Sequence, residues 1–232
     1  MRSNMMLLMA AAIWGLGFVA QRLGMDHMGP FTFNGLRFLL GAASLLPLLW
    51  WLKSRQPAGQ SEDRRLLLTG GLLAGAVLFS AASLQQVGLL YTTAAKAGFI
   101  TGLYIILVPV IGLALRHKTG ANTWVGALIA MAGLYYLSVT EEFTIGYGDL
   151  LQVIGALFWA IHLLVLDHYS NRVAPIRLAG VQFVVCGLLS LGTAFVIETP
   201  TLGGAVAGWQ ALLYAGLVSV GIGYTLQVVG QR

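Results

Sequence analysis

The chain is predicted to be an all-α, polytopic membrane helical bundle made of inverted five-helix repeats, with about eight transmembrane helices present. Three observations lead there. The 232 residues are 58% hydrophobic and only 9% charged, whereas a soluble domain is about a quarter charged. Eight apolar stretches approach the roughly 20 residues that a helix needs to cross about 30 Å of hydrocarbon. Residues 5–52 also read like residues 150–197, with Trp14 opposite Trp159 and Pro30 opposite Pro175 at one constant offset.

The stretches are 5–23, 32–52, 66–88, 94–115, 122–139, 149–169, 177–197 and 209–230. Backbone crossing a bilayer must satisfy its own hydrogen bonds, so runs of this length are helices. The first is too long for the apolar core of a signal peptide and has a counterpart in mid-chain, so it is read as a retained helix. In the third, Gly71 and Gly75 stand four apart, and its end, Ser83–Gly88, matches Thr225–Gly230. The fourth carries a small-residue stripe, Ala94, Gly98 and Gly102, ahead of Pro109. Small residues allow close backbone approach in lipid, and Pro109 is expected to bend or break its helix.

Segments one to five form the first repeat, residues 1–140. Segments six to eight form an incomplete second repeat, residues 141–232. Truncation is the expected reason, with completion by another chain as the alternative. Five crossings end on the far side, so a duplicated unit must invert its second copy. Secondary transporters use such inverted repeats to build two near-equivalent conformations around one site.

Charge gives the orientation. Arg2, Lys53, Arg55, Arg64, Arg65, Arg116, Lys118, Arg172, Arg177 and Arg232 fall on one side, and Glu141, Glu142 and Glu198 on the other. Under the positive-inside rule the N-terminus is cytoplasmic, in a plasma or inner membrane. The net charge of +5 is accounted for in this way, and no nucleic acid is needed. The single cysteine, Cys186, excludes an internal disulfide and reads as packing material.

Seven residues are candidates for a substrate pathway. Trp14 and Trp159 sit near the centres of segments one and six, away from the interfaces where tryptophan usually anchors. They either pack the bundle or wall a cavity. His162, one turn from Trp159, either meets a substrate or is satisfied by a neighbouring helix. Tyr104 lies near the midplane, with Thr101 about one turn away. Lys96, one turn inside the outer end of segment four, either snorkels to the interface or draws an anionic group. Arg37 either clamps a carboxylate or phosphate in two-point geometry, or holds helix-end carbonyls or neutralises Asp26. Its counterpart in the second copy is the uncharged Gln182, which favours the structural role.

Acidic residues occupy loops and helix ends only, and this disfavours a proton-exchanging carrier of cationic drugs. His162 and His168 lack companions at metal-ligand spacing, and Gly221-Ile222-Gly223 lacks the rest of a dinucleotide loop. There is no Gly-x-Ser-x-Gly elbow, so neither catalysis nor a metal or cofactor is expected.

Ala12-Ile13-Trp14-Gly15 with Phe18, Pro30 followed by Arg37-Phe38, and Thr93-Ala94-Ala95-Lys96-Ala97 leading to Pro109 resemble the drug/metabolite transporter superfamily, specifically its EamA-type carriers. The resemblance covers essentially the whole chain. It implies ten helices in two inverted halves, cytoplasmic termini and carriage of small metabolites such as amino acids. Two departures stand out: the last two helices are absent, and Arg116-His117-Lys118 replaces a glutamate often found after the fourth helix. The expected function is transport of amino-acid-like or other small carboxylate-bearing solutes, in the direction of export. The alternatives are a drug or nucleotide-sugar carrier of the same superfamily and a non-transporting membrane subunit. The expected partners are the lipid bilayer and the small-molecule substrate, with a homo-oligomer left open.

Overall fold

The structure, a computed structural model, describes residues 2–54, 63–114, 120–138 and 146–230. The stretches 55–62, 115–119 with Arg116, His117 and Lys118, and 139–145 with Glu141 and Glu142 lie outside the described residues. So does Arg232.

The described chain is helical throughout, without strands. In order the helices are α1 (Arg2–Gly24), α2 (Pro30–Ser44), α3 (Leu46–Ser54), α4 (Arg64–Gly88), α5 (Ala94–Thr101), α6 (Tyr104–Ala114), α7 (Ala121–Ser138), α8 (Tyr147–Ser170), α9 (Pro175–Ile197), α10 (Leu202–Ala207) and α11 (Trp209–Leu213). A π-helical segment, Tyr214–Gly223, then leads into α12 (Tyr224–Gly230). Seven stretches are long and apolar enough to cross a membrane, and a shorter apolar helix covers Ala121–Gly133. The protein is therefore a multi-pass membrane protein.

Three expected segments are interrupted. Segment two pauses at the buried Leu45, between α2 and α3. Pro47 follows two residues later and has no N–H to continue the ladder. Segment four breaks at Gly102–Leu103, not at Pro109, which lies buried inside α6. There the bonds shorten to three-residue spacing, Leu103 N–H to Ile100 O and Ile105 N–H to Gly102 O, so a glycine rather than the proline opens the helix. In segment eight the chain winds as a π-helix over ten residues, a rare form that collects at functional positions.

The central layer is α2, α4, α8 and α9, packed as α4 on α8 and α9 and as α2 on α9. Glycines set the closest crossings. A Cβ on Gly71 or Gly75 would collide with Val181 or Val185 of α9, and one on Gly187 would collide with Leu39 of α2. The Ala94–Gly98–Gly102 stripe is looser, because Gly98 meets only Phe18, at 3.9 Å. Helix α1 lies on the π segment and α12, while α5 and α6 lie against α8. Met5, Leu8, Leu16 and Leu23 of α1 remain more than half exposed, as expected of side chains that face lipid tails.

Candidate substrate pathway

Phe38, Leu78, Ala82, Ala179, Phe183, Cys186, Val220 and Tyr224 form much of the central core, and both Trp14 and Trp159 pack against it. Cys186 is thus packing material, as expected. Aromatic rings connect the helices through this core. Phe38 lies 6.0 Å from Phe183, Phe183 5.0 Å from Tyr224, and Tyr224 5.3 Å from Trp14. The half-buried Trp14 donates its indole N–H to the carbonyl of Ser219, at 3.1 Å, inside the π segment.

Trp159 donates to Gln85 Oε1, at 2.9 Å, and its ring meets that of His162 edge-on. His162 is fully buried and pairs through Nε2 with Gln182 Oε1, at 2.7 Å. The neighbouring helix does meet the histidine, but only at one nitrogen, because Nδ1 has no partner. Thr101 ends α5 and donates to Gln152 Oε1, whereas Tyr104 opens α6. The break at Gly102–Leu103 thus places the two residues on different helices.

Lys96 forms an ion pair with Asp149, Nζ to Oδ2 at 3.4 Å, and remains about one-third exposed. The same carboxylate accepts from the Thr92 hydroxyl and from Gly146 N–H at the start of α8. The lysine thus neither simply snorkels nor stands as an uncompensated positive charge.

Arg37 is only 4% exposed. Its guanidinium carbon lies 4.8 Å from the Phe38 ring centre and 5.8 Å from that of Phe33. Neither expected structural partner is present: Arg37 touches neither Asp26 nor a helix-end carbonyl, and its buried Nε has no hydrogen bond. Among the described residues it forms no ion pair with a carboxylate.

A glutamine network escaped the sequence reading. Gln85 donates to Gln21 Oε1, Gln86 to Gln21 O, and Gln152 to Gln85 O. All are buried, and together they tie α1, α4 and α8 to one another. Four amides within apolar segments were the available signal, since buried polar groups in lipid are costly unless paired. Glu198, read from the sequence as an outer-side charge, has a further role. Beyond the end of α9, it accepts from the N–H groups of Phe31 and Thr32, both at 2.8 Å, and from the Thr32 hydroxyl. It thereby caps the positive end of α2. A groove of about 450 Å³ lined by Leu16, Leu23, Asp26, His27, Gln210 and Tyr214, among others, lies between α1 and α11 and includes none of the seven candidates.

The profile of the EamA-like transporter family matches residues 1–139 and 146–232. An uncharacterized transporter of Archaeoglobus fulgidus is 34% identical over 198 residues, which cover 84% of this chain and 58% of that protein. The uncharacterized transporter YetK of Bacillus subtilis is 29% identical, with 90% and 65% covered. The uncharacterized inner membrane transporter YedA of Escherichia coli is 24% identical, with 90% and 68% covered. The chain thus spans about three-fifths to two-thirds of the length of these relatives. A solved crystal structure at 20% identity superposes with a TM-score of 0.72 over 99% of this chain and 79% of its own, a likeness of fold. The chain belongs to the EamA-like transporter family.

Proposed function

We propose that the chain carries small carboxylate-bearing metabolites, amino-acid-like in class, across the inner or plasma membrane by alternating access, in the direction of export and without catalysis. The moving parts are two inverted halves, residues 1–140 and 141–232. Paired packing supports this division. In the repeat alignment α1 corresponds to α8, and α4 to the segment containing the π turn and α12. Helix α8 packs on α4, and α1 packs correspondingly on the π segment and α12. Trp14 meets Tyr224 and Trp159 meets Gln85, contacts one helical turn apart on corresponding helices. A cytoplasmic N-terminus agrees with Arg64, Arg65, Arg172 and Arg177 at one end of the bundle.

One observation carries the substrate class. Arg37 is a buried, permanent cation with an unpartnered Nε and no ion pair with a carboxylate among the described residues. Such a residue inside a membrane protein ordinarily lines a substrate or ion path, and a planar guanidinium suits a carboxylate. Lys96 is neutralised by Asp149 and adds less to this attraction.

The test is uptake and efflux of labelled metabolites by proteoliposomes containing the purified protein. Amino acids and other small carboxylates are expected to move. Arg37→Gln is expected to slow them about tenfold or more, the equivalent of one charged hydrogen bond of about 1.5–3 kcal/mol. A protein that moves nothing from a broad panel contradicts the reading and favours a non-transporting subunit.

A further inference from the structure

We infer that the arginine-rich end of α4, α8 and α9 binds an anionic phospholipid. Arg64, Arg65, Arg172 and Arg177 hold its phosphate, and Leu68 and Leu72 lie along its acyl chain. The surface shares no residue with the proposed substrate pathway and does not depend on what the protein carries.

Helix packing brings the four arginines together. A Cβ on Gly70 would strike Tyr169, and one on Gly88 would strike Gln152, so α4 starts where α8 ends. A Cβ on Gly71 or Gly75 would strike Val181 or Val185, so α9 starts at that end too. Arg65 stands five residues before Gly70, Arg172 three beyond Tyr169 and Arg177 four before Val181. At 1.5 Å per helical residue, all lie within roughly 10 Å of one level, in the same direction. Arg64, Arg65 and Arg172 are exposed and Arg177 is half-buried. Arg172 Nη1 donates to His168 Nε2 at 3.1 Å, which holds that guanidinium over the last turn of α8. Two carboxylates share this end. Asp63 caps α4 by accepting from Leu66 N–H, and Asp167 precedes His168. Among the described residues, Arg64, Arg65 and Arg172 form no ion pair with either. Four arginines against two aspartates leave the surface positive.

An uncovered apolar stripe continues from the charge. Leu68 and Leu72 follow Arg64 at four-residue intervals and so share its helix face, and both are more than half exposed. Tryptophan marks the depth. Leu49 of α3 lies 3.5 Å from where a Cβ on Gly180 would stand, about one turn from Arg177, and the next two residues, Trp50 and Trp51, are exposed. Exposed tryptophan belongs at the membrane–water interface, so the arginines reach the level of lipid headgroups. A guanidinium offers paired N–H donors to phosphate oxygens, and clustered cations beside a spanning helix attract anionic lipids. A zwitterionic lipid brings its own ammonium to the same place and gains less. A soluble phosphate ester would use the arginines but leave Leu68 and Leu72 uncovered.

The test titrates the purified protein in neutral detergent with phosphatidylglycerol, with phosphatidylcholine of the same acyl chains and with glycerol 1-phosphate, counting bound molecules by native mass spectrometry. Phosphatidylglycerol is expected to bind tenfold or more tightly than either of the others. Arg64→Gln with Arg65→Gln and Arg172→Gln is expected to remove the preference over phosphatidylcholine. Arg2→Gln changes a charge on α1, which packs on the π segment and α12 instead, and is expected to keep the preference. Equal binding of the two lipids by the unaltered protein overturns the site, whatever the variants do. So does a triple variant that keeps the preference, or an Arg2→Gln that loses it to the same extent, which would mean a diffuse positive surface. Glycerol 1-phosphate binding as tightly as phosphatidylglycerol would make this a soluble-phosphate site and overturn the lipid reading.

Discussion

Arg37 occupies an expensive position. Placing an arginine at the centre of a spanning helix costs about 2.5–3.5 kcal/mol on insertion scales. The rings of Phe33 and Phe38 return about 0.5–2 kcal/mol of cation–π energy, with no carboxylate paired to the charge among the described residues. A purely structural arginine would stabilise the empty protein; one kept for a ligand should burden it. Arg37→Met is therefore expected to raise the ligand-free unfolding temperature or leave it unchanged, while removing any stabilisation by amino acids. Thermal unfolding with and without ligand measures both effects, and a marked ligand-free loss would return Arg37 to a structural role. Arg37, Trp14 and Trp159 were visible in the sequence because each is out of place for its depth. Gln85, Gln86 and Gln152 were not, because an uncharged amide leaves no mark on a charge count. The partner of Lys96 was hidden for another reason: Asp149 lies 53 residues away, and only folding brings them together.

At the level of helices, hydropathy located every spanning segment, because lipid imposes one length and one composition on all of them. It did not locate the interruptions. The pauses at Leu45 and Gly102–Leu103 and the π segment depend on which neighbour a turn must reach. Ser219 turns its carbonyl to Trp14, and a Cβ on Gly216 would strike Leu40. Periodicity carries no trace of such demands. Glycine spacing was similarly ambiguous, since Gly71 and Gly75 form a tight seam and the Gly98 stripe does not. Gly75→Val is accordingly expected to destabilise the bundle by about 1–3 kcal/mol through overpacking, because a Cβ there meets Val185 and lies 3.0 Å from Gln182 O. Gly192→Ala, with nothing within 4 Å, should change stability by less than about 1 kcal/mol. Unfolding of both variants in detergent checks the contrast, and equal losses would mean that the α4–α9 seam is not where glycine matters.

For the molecule as a whole, alternating access requires two halves that oppose each other across the bilayer. Five crossings must separate the start of α1 from the start of α8. The crossing that decides this is α7, whose described apolar stretch, Ala121–Gly133, is shorter than the other spans. The direct measurement places single cysteines at Ser3 and Gly146 in a Cys186→Ala background. Each is labelled with a membrane-impermeant maleimide in intact cells and in inverted vesicles. Position 3 should react only in inverted vesicles and position 146 only in intact cells. Reaction of both from the same side would leave the halves parallel and contradict the proposed mechanism.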